Sequence, residues 1–283
     1  MQTQSIRLKI KSIYRDLSKT EKLIADYVLE DPGKTARSTI NQISNDLNIA
    51  DSTFFQFTRT LGYSGFKDFK LALLMEEHDP AISIHEHIQK SDDEMTMADK
   101  VFDSTVQSIL DTKKLLDSAS LKKAATFLSN ANTVSFFGIA GSGLVAGDAY
   151  HKFLRSPIKG QHNFDYHIQL MMASLLTKED CALLISHTGL TKEAIEIAKI
   201  VKERGAKLIL ITSYSKSPLA KMADVLFISA AEETEYRSEA LASRISQMAI
   251  IDALLVILMF QNEDKANASL DKVRSVIKKA KGA

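Results

Sequence analysis

The sequence predicts an α/β protein with an all-α N-terminal part: a helical bundle over residues 1–76, followed by a doubly wound parallel sheet. Two observations carry this reading. Up to residue 76 the apolar side chains recur at helical spacing in short, capped segments. From residue 133 onward, continuous apolar runs alternate with amphipathic stretches, the pattern of strands covered on both faces by crossover helices.

In "LSKTEKLIADYVLEDPG", Leu17, Ile24, Tyr27 and Val28 share one helical face, and the segment stops at Asp31-Pro32-Gly33. "TINQISNDLNI" follows, with Thr39 and Gln42 spaced as a capping box and Ile40, Ile43 and Leu47 on one side. A break at residues 48–50 leads into "DSTFFQFTRTLG", with Asp51 expected as N-cap and Gly62 as the C-terminal stop. Residues 77–95 are polar and weakly periodic, as in a linker; the "HEH" at 85–87 reads as solvated there. Helical patterns run over 95–117 and 121–130. Then come the strand "TVSFFGI", the helix "LVAGDAYHKFLRS", the strand "ALLIS" and the helix "KEAIEIAKIVKERG". The strand "KLILIT", a short helix near Pro218 and the strand "VLFIS" complete the alternation. The expected boundaries are a bundle at 1–76, a linker and the start of a connecting helix at 77–107, and the sheet domain at 108–283.

Composition narrows the function classes. A formal net charge of +1 over 283 residues gives no polycationic character, so any nucleic-acid contact must come from a local basic face. The single cysteine, Cys181, excludes an internal disulfide framework, and no Cys/His cluster has zinc-ligand spacing. "MQTQSIRLKI" lacks the apolar core of a signal peptide. "MAIIDALLVILMF" contains Asp252 and falls short of the roughly 20 residues that span a bilayer, so it reads as a core or subunit-interface helix. The expectation is a cytoplasmic protein without metal, cofactor or membrane partner.

In a parallel α/β sheet, ligands sit at the carboxyl ends of strands, beside helix N-termini. Two turns there are rich in small and hydroxylated residues. "GIAGSG", residues 138–143, lies between a strand and its helix; its small residues, Gly141 among them, can turn tightly and offer N–H groups to an anion, with Ser142 adding a hydroxyl. "SHTGLT" places Ser186, Thr188 and Thr191 around Gly189 at another helix start, where the dipole favours a phosphate. Neither turn carries a Walker lysine, which argues against nucleoside triphosphate hydrolysis and for reversible holding of a phosphomonoester. Ordinary capping is the alternative, since Ser, Thr and Gly are enriched at helix starts. His187 either faces the ligand or is a surface-loop histidine. The pairing of "FFGIAGSGLVAGDAYHKFLR" with "ISHTGLTKEAIEIAKIVKERGAKLILIT" resembles a sugar isomerase (SIS) domain. That resemblance implies a phosphosugar ligand, a phosphate loop at Ser186, Thr188 and Thr191, and a contribution from Ser142. It also aligns Glu239 with the acid/base glutamate of catalytic relatives; here Glu239 contacts the sugar or occupies a first helical turn, where carboxylates are favoured. Arg237 and Arg244 read as structural or interface cations.

Residues 39–61 have helix-turn-helix spacing, which would put the second helix in a major groove. Phe54, Phe57 and Leu61 face the core, leaving Ser52, Thr53, Phe55, Gln56, Arg59 and Thr60 outward for bases and phosphates. Lys67 and Lys70 follow. Residues 1–75 hold 11 Lys+Arg against 8 Asp+Glu, a surplus compatible with DNA and equally with a helical protein-interaction module. A helix-turn-helix ending "STFFQFTRTLGYSGFKDFK", a linker and an SIS domain containing "RSEALASRISQ" together resemble an RpiR-type transcriptional regulator over essentially the whole chain. The resemblance implies a homodimer or homotetramer, joined through the SIS domain, that binds operator DNA. It further implies a sugar phosphate that controls this binding, more often in repression than activation. The family pattern usually has arginine where Gln56 stands, and a smaller β-branched residue near Phe54. The competing reading is an aldose–ketose phosphosugar isomerase with Glu239 as general base, for which the N-terminal helices would be superfluous.

Overall fold

Local capping chemistry sets the N-terminal helices in the computed structural model, which describes residues 6–76, 91–230 and 239–280. Helix α1 spans Ile6–Ile13 and runs into a 3₁₀ turn at Tyr14–Asp16. Helix α2, Lys19–Glu30, opens with a reciprocal capping box in which the Ser18 hydroxyl accepts from the Glu21 N–H and Glu21 accepts from the Ser18 N–H at 2.9 Å. The Asp-Pro-Gly stop is also a start. Asp31 accepts from the Lys34 N–H at 2.7 Å and Pro32 takes the first position of a short helix α3, Pro32–Arg37. Helix α4, Ile40–Leu47, has the expected Thr39/Gln42 capping box and ends in left-handed Asn48. Helix α5 covers Asp51–Thr60. Its N-cap is Ala50, without a side-chain cap; Asp51 lies inside the helix and accepts from the Asn41 amide at 2.6 Å, so the expected Asp51 cap is not formed. Gly62 does terminate the segment, with φ +87° and its N–H on the Arg59 carbonyl. Helix α6 is Phe66–Glu76.

The apolar faces of these helices meet in one core of Ile24, Val28, Ile43, Phe54, Phe57, Leu61, Phe69 and Leu73. Phe54 packs edge-on against both Phe66 and Phe69, with centroids 5.6 and 6.0 Å away. Truncating such a ring would cost about 3–5 kcal/mol.

The chain divides into two compact units, Met1–Gln107 and Ser108–Ala283. Helix α7 is Glu94–Leu115; the linker residues 77–90, with the "HEH" motif, lie outside the described residues. In the second unit, α8 (Ser118–Asn130) precedes β1 (Val134–Gly138), α9 (Gly141–Phe153), β2 (Gly160–His162) and α10 (Tyr166–Ser174). Then follow β3 (Cys181–Ile185), α11 (Lys192–Glu203), β4 (Lys207–Thr212) and β5 (Val225–Ile228). A 3₁₀ turn at Ala220–Met222 stands where a short helix was expected near Pro218. The long α12 (Glu239–Gln261) and α13 (Glu263–Ala280) close the described chain.

Among the described residues the strands form one parallel sheet in the order β2-β1-β3-β4-β5. Alternate side chains enter two cores. Phe136, Leu183, Ile185, Ile209 and Ile211 meet α8, α9 and α12 on one face; Phe137, Leu184, Leu208 and Leu210 meet α10 and α11 on the other. Asp224 closes the opposite, amino-terminal edge: it accepts from the Leu208 N–H at 2.8 Å and pairs with Lys202 at 2.7 Å. Burial pushes its carboxyl up, but the Lys202 and Leu208 bonds outweigh this and hold it below its ordinary value. In α12, the stretch Ser243–Gln261 is long and apolar enough to cross a membrane by length and composition. Ile250, Ile251, Leu254 and Leu258 are instead buried against the sheet domain, while Val256 and Phe260 are exposed.

Candidate functional site

The direction of strand addition reverses between β1 and β3: β2 lies on one side of β1, and β3, β4 and β5 follow on the other. Such a switch point leaves a crevice at the carboxyl ends of the two central strands. Gly138 is in register with Ile185, so the turns that leave β1 and β3 start about 4.8 Å apart, one strand spacing. The two hydroxyl-rich segments are therefore neighbours, and Gly141, Ser142, Ser186, His187, Thr188, Gly189 and Thr191 all lie on them.

The β1 turn is tight. Ser142 N–H donates to the Ile139 carbonyl at 3.1 Å, and Ala140 adopts φ +50°, ψ −122°, a conformation that favours glycine. A Cβ on Gly138 would sit 2.5 Å from the Ser142 carbonyl oxygen, so only glycine fits there. Fully buried Gln169 clamps the same residue: its Oε1 accepts from the Gly138 N–H at 3.2 Å and its Nε2 donates to the Gly138 carbonyl at 3.0 Å. No side chain caps α9.

The β3 turn carries a buried Ser186 whose Oγ has no hydrogen-bond partner. A buried hydroxyl left this way costs about 1–3 kcal/mol and is open to a further partner. Thr188 Oγ1 accepts from the Leu190 N–H at 3.2 Å. Gly189 has φ +64°, and a Cβ there would lie 2.2 Å from Ser217 Oγ. Thr191 stands at the N-cap of α11 but makes no side-chain cap. That leaves the first N–H groups of α11 and its dipole directed at the crevice.

His187 is tied into the protein through a row of polar groups. Its Nδ1 lies 2.9 Å from Ser213 Oγ, which is 3.1 Å from Ser229 Oγ, and Gln247 Nε2 of α12 donates to Ser229 at 3.5 Å. His187 carbonyl accepts from the Ser213 N–H at 2.9 Å and the Thr212 hydroxyl at 3.0 Å. Glu239 opens α12, but its side chain lies outside the described residues, as does Arg237. Arg244, five residues further along α12, packs against the β1 turn: a Cβ on Gly141 would be 3.3 Å from its Nη2. Gln169, Ser213, Ser229, Gln247 and the placement of Arg244 carried no signal along the chain, because each comes from an element distant in sequence.

In the first unit, Ser52, Gln56 and Arg59 are exposed on one face of α5, and Lys67 is exposed on α6. Phe55 is 43% exposed, with its ring edge over Gly65. Thr53 and Thr60 are half-buried, and the Thr60 hydroxyl donates to the Gln56 carbonyl at 3.2 Å. Lys70 donates to the Ser38 carbonyl at 2.9 Å, which ends α3, so it serves the bundle.

Fold and turns together define a two-part regulator: a helix-turn-helix unit joined to a sheet domain with an anion-ready crevice. Residues 4–79 match the helix-turn-helix domain of the rpiR family and residues 127–257 match the SIS domain. An uncharacterised HTH-type transcriptional regulator of Caldanaerobacter subterraneus subsp. tengcongensis is 36% identical, covering 88% of each chain. The regulator RpiR of Escherichia coli K12 is 29% identical over 92% of this chain and 88% of its own. The Vibrio vulnificus NanR protein, solved in complex with ManNAc-6P, has the same fold, with a TM-score of 0.61, 24% identity, and coverage of 98% of this chain and 99% of that one. The chain belongs to the RpiR-type family of helix-turn-helix transcriptional regulators. It is a regulator rather than an isomerase of the SIS class.

Proposed function

We propose that this protein represses sugar-metabolism genes from the cytoplasm, as a homodimer or homotetramer joined through its SIS domains, and that a sugar phosphate in the crevice between β1 and β3 sets its DNA affinity. The unpartnered Ser186 hydroxyl beside the uncapped N-terminus of α11 carries the reading. A phosphate held by the hydroxyls of Ser186, Thr188, Thr191 and Ser142, at the helix starts beside Gly141 and Gly189, would give the Ser186 hydroxyl the partner it lacks. His187 would approach the ligand from the same turn and Glu239 from the start of α12. The sugar phosphate in the NanR complex supports this class of effector. Ser52, Thr53, Phe55, Gln56, Arg59 and Thr60 on α5, with Lys67, form the DNA face. Two-fold pairing would set two such helices about 34 Å apart, one turn of duplex.

The test is fluorescence anisotropy of the full-length protein on DNA from upstream of its own gene, at fixed salt and with nonspecific competitor. Each titration is repeated with N-acetylmannosamine 6-phosphate, glucose 6-phosphate and fructose 6-phosphate. The expected result is specific binding that one compound shifts, with the shift abolished by Ser186→Ala combined with Thr188→Ala. Specific DNA binding that no sugar phosphate alters would refute effector control.

A further inference from the structure

Arg244 is half-buried, and its Nε is enclosed with no hydrogen-bond partner. Among the described residues it makes no ion pair. Its guanidinium lies against Gly141, the first residue of α9, in the turn that faces the Ser186 turn across the switch point. A partly desolvated cation without a counter-charge is costly, and a fork of guanidinium N–H groups fits an oxyanion in two-point contact. We infer that Arg244 is an anion-binding, specificity-determining residue of the crevice, which takes a phosphate or carboxylate oxygen of the effector. The inference rests on the effector reading above and adds to it a charge that hydroxyls and amides do not supply.

The consequence is a preference. Neutral donors hold any phosphomonoester, whereas a fixed guanidinium at the β1 turn rewards a ligand with more anionic oxygens in reach. The position on α12 also matters. Arg244 and Gln247 lie one helical turn apart, the first against the β1 turn and the second at the end of the polar row from His187. An anion drawn onto Arg244 therefore pulls on the same helix that the second turn already holds.

The experiment compares wild type with Arg244→Gln and Arg244→Lys in the full chain. Inorganic phosphate, glucose 6-phosphate and 6-phosphogluconate serve as probes in calorimetric titration, with melting curves recorded with and without each. Wild type is expected to bind 6-phosphogluconate or glucose 6-phosphate at least tenfold more tightly than Arg244→Gln, with Arg244→Lys between. The ligand-free Arg244→Gln protein is expected to melt no lower than wild type, because the cation removed has no counter-charge among the described residues; a purely structural arginine would give a lower melting point. Equal affinities of wild type and Arg244→Gln would overturn the inference while leaving the effector reading standing. So would a change of oligomeric mass with unchanged affinity, which would make Arg244 a subunit contact. Should Arg244→Gln fail to fold, Arg244→Lys decides, and wild-type affinity in it for every probe overturns the two-point contact. A wild type that binds none of the probes overturns the effector reading and this inference with it.

Discussion

Replacing Gly189 by alanine tests whether the β3 turn is built to one shape. Two costs can be worked separately. The backbone at φ +64° disfavours a Cβ by about 1–2 kcal/mol. The added Cβ would also lie 2.2 Å from Ser217 Oγ and 2.5 Å from Ser217 Cβ. Ser217 cannot swing away freely: it is buried, and its Oγ accepts from the Ala220 N–H at 3.2 Å. Overpacking of this kind adds about 1–3 kcal/mol, for a total of about 2–5 kcal/mol. Urea unfolding of Gly189→Ala, Ser217→Gly and the double variant resolves the two parts. In the double variant the packing cost disappears and the backbone cost of about 1–2 kcal/mol remains. Sugar-phosphate affinity should fall in Gly189→Ala and partly return in the double variant, because the displaced turn carries Ser186 and Thr188. A single variant within about 0.5 kcal/mol of wild type would refute the argument, since surface changes without a specific mechanism fall in that range. So would a double variant no better than the single.

Three further outcomes are expected. Ala140→Gly should stabilise the second unit by about 1 kcal/mol in a urea melt, by relieving the φ +50° strain at the β1 turn. Arg59→Ala should weaken DNA binding in anisotropy titrations and reduce the salt dependence by about one counterion, with sugar-phosphate binding retained; Gln56→Arg should move both in the opposite direction. Asp224→Asn should cost roughly 1–3 kcal/mol at pH 7, as two charge-assisted bonds are lost. Because the folded-state carboxyl is held below its ordinary 3.8, its contribution is present above that pH and disappears as acid protonates it. Urea midpoints of wild type and Asp224→Asn should therefore converge as the pH falls from 3.8 through the lowered folded-state pKa. A gap that persists undiminished would remove Asp224 as its source.

Most of the sheet could be read along the chain, because β1, β3, β4 and β5 are uninterrupted apolar runs that must be buried on both sides. β2 escaped notice: Gly160, Gln161 and His162 form a three-residue edge strand with no apolar run to announce it. Helix α3 was hidden by chemistry that has two uses, since Asp-Pro-Gly ends one helix and, through the Asp31 cap and Pro32 at the first position, begins another. Asp51 looked like a cap for the same reason; its carboxylate is held by Asn41, a partner ten residues earlier on α4. The crevice turns were legible because strand ends and helix starts are local features. The residues that support them were not, since Gln169 reaches Gly138 and Gln247 reaches Ser229 only after the chain has folded.

The row from Gln247 to His187 joins the long C-terminal helix to the β3 turn across sixty residues of chain. An amide nitrogen only donates, so Ser229 accepts from Gln247, but each hydroxyl has two lone pairs and one hydrogen, and the rest of the row has two consistent settings. With the imidazole proton on Nε2, Ser213 donates to Nδ1 and accepts from Ser229; with the proton on Nδ1, Ser213 accepts from the ring and donates to Ser229. The tautomer of His187 and the direction of the hydroxyl pair behind it are thus one coupled choice, and a group that binds Nε2 sets both.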